Sequence, residues 1–182
     1  TFINDSATGY QITHFQQVNT FPYLEDYETF TPGSPGTFVN LWEADPATGY
    51  RWQVNDGGTS SIGTGPEVDH TLGTATGIYV YAEASSGSQG DIAALTSPCI
   101  DLASISNPFM SFWYHMAGDE IGKLYLDVFD GTAWVNAVDS IIGTQQLEIT
   151  DPWEQFNTSL LDYAGESIKL RFRVERGVGF EG

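Results

Sequence analysis

Apolar and polar positions along this chain repeat with a period of two, in short stretches separated by turns. Within Gly77–Ala84, Ile78, Val80, Ala82 and Ala84 alternate with Tyr79, Tyr81 and Glu83, which predicts a strand with one buried face. A loop of Ser, Gly and Gln follows, then Ile92–Pro98 reads as a second strand stopped by proline. Phe109–Met116 is apolar on nearly both faces, which predicts a strand in the middle of a sheet. In Lys123–Phe129, Leu124, Leu126 and Val128 share one face, and Asp130-Gly131 turns the chain into Ala133–Val138, the signature of a hairpin. Ser167–Glu175 is the clearest amphipathic strand: Ile168, Leu170, Phe172 and Val174 point inward, while Lys169, Arg171 and Arg173 point outward.

The N-terminal third is less regular. Residues 1–20 read as a linker or edge segment with one strand at Tyr10–Phe15, and the domain proper runs over 21–182. Pro32, Gly33, Pro35 and Gly36 mark a loop, Phe38–Trp42 a short strand, Asp45–Gly49 a turn and Tyr50–Val54 a further strand. Asn55-Asp56-Gly57-Gly58 is a tight-turn signal. Toward the C-terminus, Asp151–Phe156 leads to Leu160-Leu161 and a turn at Gly165. No stretch of useful length carries a helical period. About ten short strands with turns between them predict an all-β fold, a two-sheet antiparallel sandwich.

Charge sharpens this picture. Six Lys and Arg stand against 24 Asp and Glu, a formal net charge of −18. A phosphate backbone or an anionic membrane surface would be repelled, so neither nucleic acid nor such a surface is expected as a partner. No run approaches the ~20 apolar residues of a membrane-spanning helix, so no membrane insertion is expected. The opening Thr1-Phe2-Ile3-Asn4 lacks the features of a signal peptide, which is expected to lie outside this sequence. The acidity suits a solvated surface that keeps the protein soluble, a cluster of carboxylates around a hard cation such as Ca²⁺, or both. Four of the six cations lie between Lys169 and Arg176 and should pair across strands with carboxylates such as Asp127, each exposed pair contributing about 0.2–1 kcal/mol. Cys99 is alone, so no disulfide within the chain staples the fold, and 182 residues can bury roughly 70% of their unfolded surface without one. Cys99 is expected to be half-buried and inert, and the sequons at Asn4 and Asn157 are weak signals.

Catalytic chemistry finds little support. The histidines are His14, His70 and His115, and no HExxH, GxSxG, CxxC or P-loop occurs. His115 reads as a packed sheet residue, and the module is not expected to be an enzyme. Aromatic residues near loops and strand ends form the other candidate surface: Trp42, Tyr50, Trp52, Trp134 and Trp153, in the company of Asn, Asp and Gln, could grip a sugar ring or pack in the core.

The string Thr64-Gly65-Pro66-Glu67-Val68-Asp69-His70-Thr71, then Gly77–Ala84, Gly90–Pro98 and Met110–Gly118, resembles the MAM domain, the extracellular module shared by meprins, neuropilins and receptor phosphatase mu. The resemblance implies a jelly roll, agreeing with the strand pattern. It places Tyr27-Glu28 on the first strand and Tyr50–Val54 on an early tryptophan strand, and it makes Asp69-His70-Thr71 a signature whose side chains pin a loop. The disulfides usual in animal members are absent, which suggests a bacterial secreted version. Some MAM-like jelly rolls hold calcium, and carried over here the ligands would be Glu28 and Asp69, with Asp91 or its carbonyl. The family's final strand would follow Gly179-Phe180-Glu181-Gly182, and a missing or externally supplied strand there would expose a sheet edge and part of the core. The resemblance further implies a secreted or cell-surface recognition and adhesion module within a larger protein. Its expected partner is an extracellular protein. The alternatives are a polysaccharide, for an accessory module of a secreted hydrolase, or neighbouring domains of the same chain.

Overall fold

A computed structural model of the chain describes residues 17–179. The strand expected at Tyr10–Phe15 and the region of the family's final strand lie outside these residues. The described residues form eleven strands: β1 (Gln17–Val18), β2 (Glu43–Asp45), β3 (Trp52–Asp56), β4 (Ile78–Ala82), β5 (Ile92–Thr96), β6 (Cys99–Asp101), β7 (Phe109–Tyr114), β8 (Lys123–Phe129), β9 (Trp134–Ile142), β10 (Glu154–Ser159) and β11 (Ser167–Glu175). Among the described residues, the single helical turn is a 3₁₀ segment at Leu161–Tyr163, so no helix is long and apolar enough to cross a membrane.

The large layer is built on β11. One edge pairs antiparallel with β8 along its length from Lys169 to Glu175, and β8 in turn pairs with β9. The other edge is shared, Ser167 and Ile168 pairing with β6 and Arg171–Glu175 with β5; β1 and β2 extend these two. The strict alternation read in the sequence explains why β11 takes this position. Ile168, Leu170, Phe172 and Val174 are all buried, together with Leu124, Leu126 and Val128 from β8 and Ala93 and Leu95 from β5. Facing this layer are two separate antiparallel pairs, β3 with β4 and β7 with β10. Trp52 of β3 donates its indole N–H to the Phe172 carbonyl at 3.2 Å, and Phe112 of β7 meets the Phe172 ring edge-on at 5.1 Å, so both pairs pack on the same central residue. The result is the all-β sandwich that the pattern predicts.

Three expectations need correction. Phe38–Trp42 is not a strand: Asn40 and Leu41 have φ of 54° and 64°, a left-handed turn that delays the strand to Glu43. Tyr27-Glu28 likewise sits in a turn, with Tyr27 at φ 63° and its ring packed edge-on against Phe30 and Trp42. In β4 the buried residue is Tyr79, covered by Trp153 and hydrogen-bonded to Gly57 O, whereas Ile78, Val80 and Ala82 are half-buried.

The outer face of the large layer carries the charge pairing predicted for Asp127, but in a different regime. The Asp127 side chain is fully buried, not exposed. Arg171 and Arg173 both donate to its Oδ2, at 2.9 and 2.8 Å through Nε, and Arg173 adds a bond from Nη2 to Oδ1 at 3.0 Å. The Ala137 N–H donates to Oδ1 at 2.7 Å, where β9 bulges opposite Leu126 and Val128 and Ala137 takes φ 53°. Each guanidinium also lies over an aromatic ring, Arg171 on Trp134 at 4.0 Å and Arg173 on Tyr125 at 4.2 Å. Burial alone would raise the Asp127 pKa; the hydrogen bonds from Arg173, Ala137 and Arg171 outweigh it and hold the carboxyl below its usual range.

Candidate functional site

The loop between β3 and β4 is organised by Asp69, which is 1% exposed. Its carboxylate accepts from the Leu72 N–H at 2.7 Å and the Thr74 N–H at 3.2 Å, so it does pin the loop as expected. Gly77 packs directly on this carboxylate, and a Cβ there would overlap it, so the short side of the loop closes only with glycine. One residue further on, the Ile78 N–H donates to Glu28 Oε1 at 3.1 Å. Glu28 and Asp69, 41 positions apart in sequence, therefore meet at Gly77-Ile78. Asp91 does not join them. Its Oδ2 accepts from the Ser88 N–H, and its carbonyl accepts from the Arg176 N–H, whose side chain binds the Ala84 carbonyl. That is the far end of β4, roughly 15–20 Å away at about 3.3 Å per residue. Accordingly no group of three or more His, Cys, Asp or Glu converges among the described residues. Asp69 nonetheless makes no ion pair among them, and buried carboxylates ordinarily have a cationic neighbour or a metal.

Of the aromatic residues singled out in sequence, Trp42, Tyr50 and Trp52 are core residues, 6–8% exposed. Trp42 stacks on Phe172, and Trp52 is tied to the Phe172 carbonyl, so neither offers a free ring face. Their neighbouring loops are polar, which made them look accessible. Trp134 is half-buried beneath Arg171. Trp153 is half-buried at the centre of a cluster: its indole donates to the Val68 carbonyl at 3.0 Å, and Tyr79, His115 and His70 pack edge-on around it. His115 is packed as expected, and burial lowers its pKa despite the Asp151 carbonyl 3.2 Å from Nε2.

Trp113, placed mid-sheet by its apolar neighbours, is the exposed tryptophan, at 42%. The exposed His70 ring lies flat against it, centroids 3.9 Å apart. Strand alternation sets the surrounding face. Phe109, Ser111 and Trp113 point outward from β7, opposite Ser159, Asn157 and Gln155 of β10. Met110, Phe112 and Tyr114 point inward onto the core. All six outward residues are exposed and uncharged, in a chain of net charge −18. The alternation inside Phe109–Tyr114 was the available signal, masked because apolar residues occupy both faces.

Between the β3–β4 and β7–β10 pairs lies a cavity of about 1060 Å³. Its deep wall is the β11 face, Leu170, Phe172 and Val174.

The MAM domain, meprin/A5/mu family matches residues 30–182. Neuropilin-1 of Rattus norvegicus is 39% identical over 154 residues, 81% of this chain and 14% of that protein. Neuropilin-1a of Danio rerio is 37% identical over 93 residues, 47% of this chain and 10% of that protein. The chain thus spans about a seventh or less of these relatives. Among solved structures, a cleaved adhesin domain of Lys-gingipain from Porphyromonas gingivalis superposes with a TM-score of 0.57 at 18% identity, covering 86% of this chain and 89% of that one, a likeness of fold.

Proposed function

This chain belongs to the MAM domain, meprin/A5/mu, family, and on that premise we propose that it is a non-catalytic extracellular recognition module that binds through the outer face of β7 and β10. The observation that carries this reading is the uncharged face itself. On so acidic a protein, a sheet face free of charge that exposes Phe109 at 75% and Trp113 at 42% is where a partner meets the least repulsion and desolvation penalty. Aromatic anchors of this kind carry a large share of binding energy at protein interfaces. The test is binding of the labelled chain to cell surfaces and to an array of extracellular proteins. Trp113→Ala should weaken binding at least tenfold, equivalent to about 1.4 kcal/mol, with an unchanged melting temperature. Equal binding by the variant would remove the face from consideration.

A polysaccharide ligand is the second reading, favoured by one detail: the Trp113 ring is flanked across the strand by Gln155 and diagonally by Asn157, a plane beside amide groups. A glycan array separates the two. Signal that disappears with Trp113→Ala supports the sugar, and silence leaves the protein partner.

Calcium stabilisation belongs to the same proposal. Glu28 and Asp69 would supply the two carboxylates, with backbone carbonyls and water completing the six to eight oxygens that Ca²⁺ takes; Asp91 has no part in it. Millimolar calcium at 100 times Kd should add about 2.7 kcal/mol of stability, reversed by chelator and lost in Glu28→Gln. No shift in melting temperature would dismiss the site.

A further inference from the structure

The β3–β4 loop is held on both sides of His70. On one side, Trp153 donates its indole N–H to the Val68 carbonyl at 3.0 Å. On the other, Asp69 closes the loop through the Leu72 and Thr74 N–H groups. Trp153 is itself fixed, with the Tyr79 ring edge-on at 5.9 Å and the His115 ring at 5.7 Å. His70 thus springs from a constrained backbone, and its exposed ring is delivered to one place. It lies on Trp113, 17° from parallel with centroids 3.9 Å apart. Phe109 shows what this contact changes. It points outward from the same strand, opposite Ser159, with no ring packed on it among the described residues, and is 75% exposed against 42% for Trp113.

We propose that His70 is the positioning residue of the recognition face: the loop that Asp69 closes lays its imidazole against one side of Trp113, which fixes the indole plane and leaves the opposite side to the partner. This rests on the reading that the outer face of β7 and β10 is where the partner binds. A tryptophan standing alone on an open sheet face samples several rotamers, and binding then has to immobilise it. A ring already held in place meets its partner at a lower entropy cost, which is how pre-organisation raises affinity. The same contact couples the face to the loop. Residues 71–76 are all exposed, and loops of this kind open at low free energy relative to the core. Opening the loop withdraws His70 and frees Trp113, so the recognition surface alternates between a held ring and a loose one according to the state of a segment that itself touches no partner.

The experiment measures acrylamide quenching of tryptophan fluorescence in the 182-residue chain, with Trp113→Phe subtracted to isolate Trp113 from the other four tryptophans. His70→Ala should raise the Trp113 quenching constant by about 1.8-fold, the ratio of the Phe109 and Trp113 exposures, with an unchanged melting temperature. His70→Phe, which keeps a flat ring, should restore the native value. Asp69→Ala should give the same rise as His70→Ala, because the loop delivers the imidazole. Binding to the array of extracellular proteins supplies the functional side. His70→Ala should bind about two- to tenfold more weakly, the effect of one side chain left to be immobilised, and His70→Phe should bind like the native chain. Unchanged quenching in His70→Ala, or a phenylalanine variant no better than alanine, would overturn the positioning role and leave the face standing. So would native binding by His70→Ala where Trp113→Ala is impaired. Native quenching in Asp69→Ala would overturn the coupling to the loop. Native binding by Trp113→Ala would overturn the face, and this inference with it.

Discussion

Replacing Asp127 with alanine removes the anion that two arginines share on the outer face of the large sheet. At about 4 Å and an effective dielectric near 20, each unit pair is worth roughly 4 kcal/mol, so two give about 8 before the carboxylate's desolvation, several kcal/mol, is set against them. The net therefore depends on what the variant leaves behind. Arg171 and Arg173, whose side chains are 19% and 21% exposed, would face each other across the vacancy with like charge. Breaking a buried pair costs about 3–5 kcal/mol, and their partial access to water places this case near 3. The Ala137 N–H loses its acceptor as well, about 0.5–1.5 kcal/mol, although Ala137 is exposed and water can substitute. The sum is about 3–4 kcal/mol, which for a domain of this size lowers the melting temperature by about 10 °C. Urea unfolding followed by tryptophan fluorescence measures it. A companion variant, Asp127→Val with Arg171→Val and Arg173→Val, should recover all but about 1–2 kcal/mol, because removing the whole charge set leaves nothing uncompensated. A loss below about 1 kcal/mol for the single variant, the size of an exposed pair, would refute the reasoning. The acid limb supplies a second check. Asp127 is held below the usual carboxylate range, so its contribution is present above the unfolded value near 3.9 and is lost as pH falls through the lower folded value. The alanine variant has no such contribution to lose.

Ala137 sits at φ 53° in the β9 bulge with its side chain exposed, so Ala137→Gly should stabilise by about 0.5–1 kcal/mol, the left-handed strain relieved less the added chain entropy; a loss of stability in urea would contradict this. His115 has its pKa lowered by burial, so it contributes a pH dependence of the opposite origin. Stability is complete above the unfolded value near 6.5 and declines as pH falls below it, because the unfolded chain takes up the proton more readily. His115→Gln should flatten the stability profile as pH falls below about 6.5, and an unchanged slope would assign that limb to other groups.

How far the sequence reveals this molecule depends on which residues are asked. Lys123–Phe129 and Ser167–Glu175 are legible to the residue, because one face of each strand is fully buried and the period of two has nothing to compete with it. The Asp130-Gly131 turn is equally plain, and Asp130 Oδ1 accepts from both Thr132 and Ala133 to hold it. Phe38–Trp42 misleads because a left-handed pair of residues interrupts an apolar run that the core takes up anyway through Phe38, Val39 and Trp42. The site was legible only in part. Asp69 as a loop pin and its meeting with Glu28 came from the family resemblance, since no local period links positions 41 apart. Asp91 lies apart from that pair, held by Ser88 and Arg176, and a carboxylate in a loop says nothing about which end of a strand the loop serves. Trp113 was hidden by its neighbours, and Trp42 and Trp52 by the polar loops beside them: exposure of an aromatic ring is decided by what packs on it, and that is tertiary information.

The central position of β11 also sets a schedule for assembly. Ser167–Glu175 supplies the shared partner for β5, β6 and β8, three strands that do not pair with one another. On a ribosome, β8 leaves the exit tunnel roughly 40 residues before β11, a delay of about 2–8 s at ordinary synthesis rates. Throughout that interval β5, β6 and the second edge of β8 wait for the strand they share, a vulnerable window for sticking to other chains. The chain can register its large sheet only when its last described strand arrives, so folding here is a closing event, governed by long-range contacts and correspondingly slow.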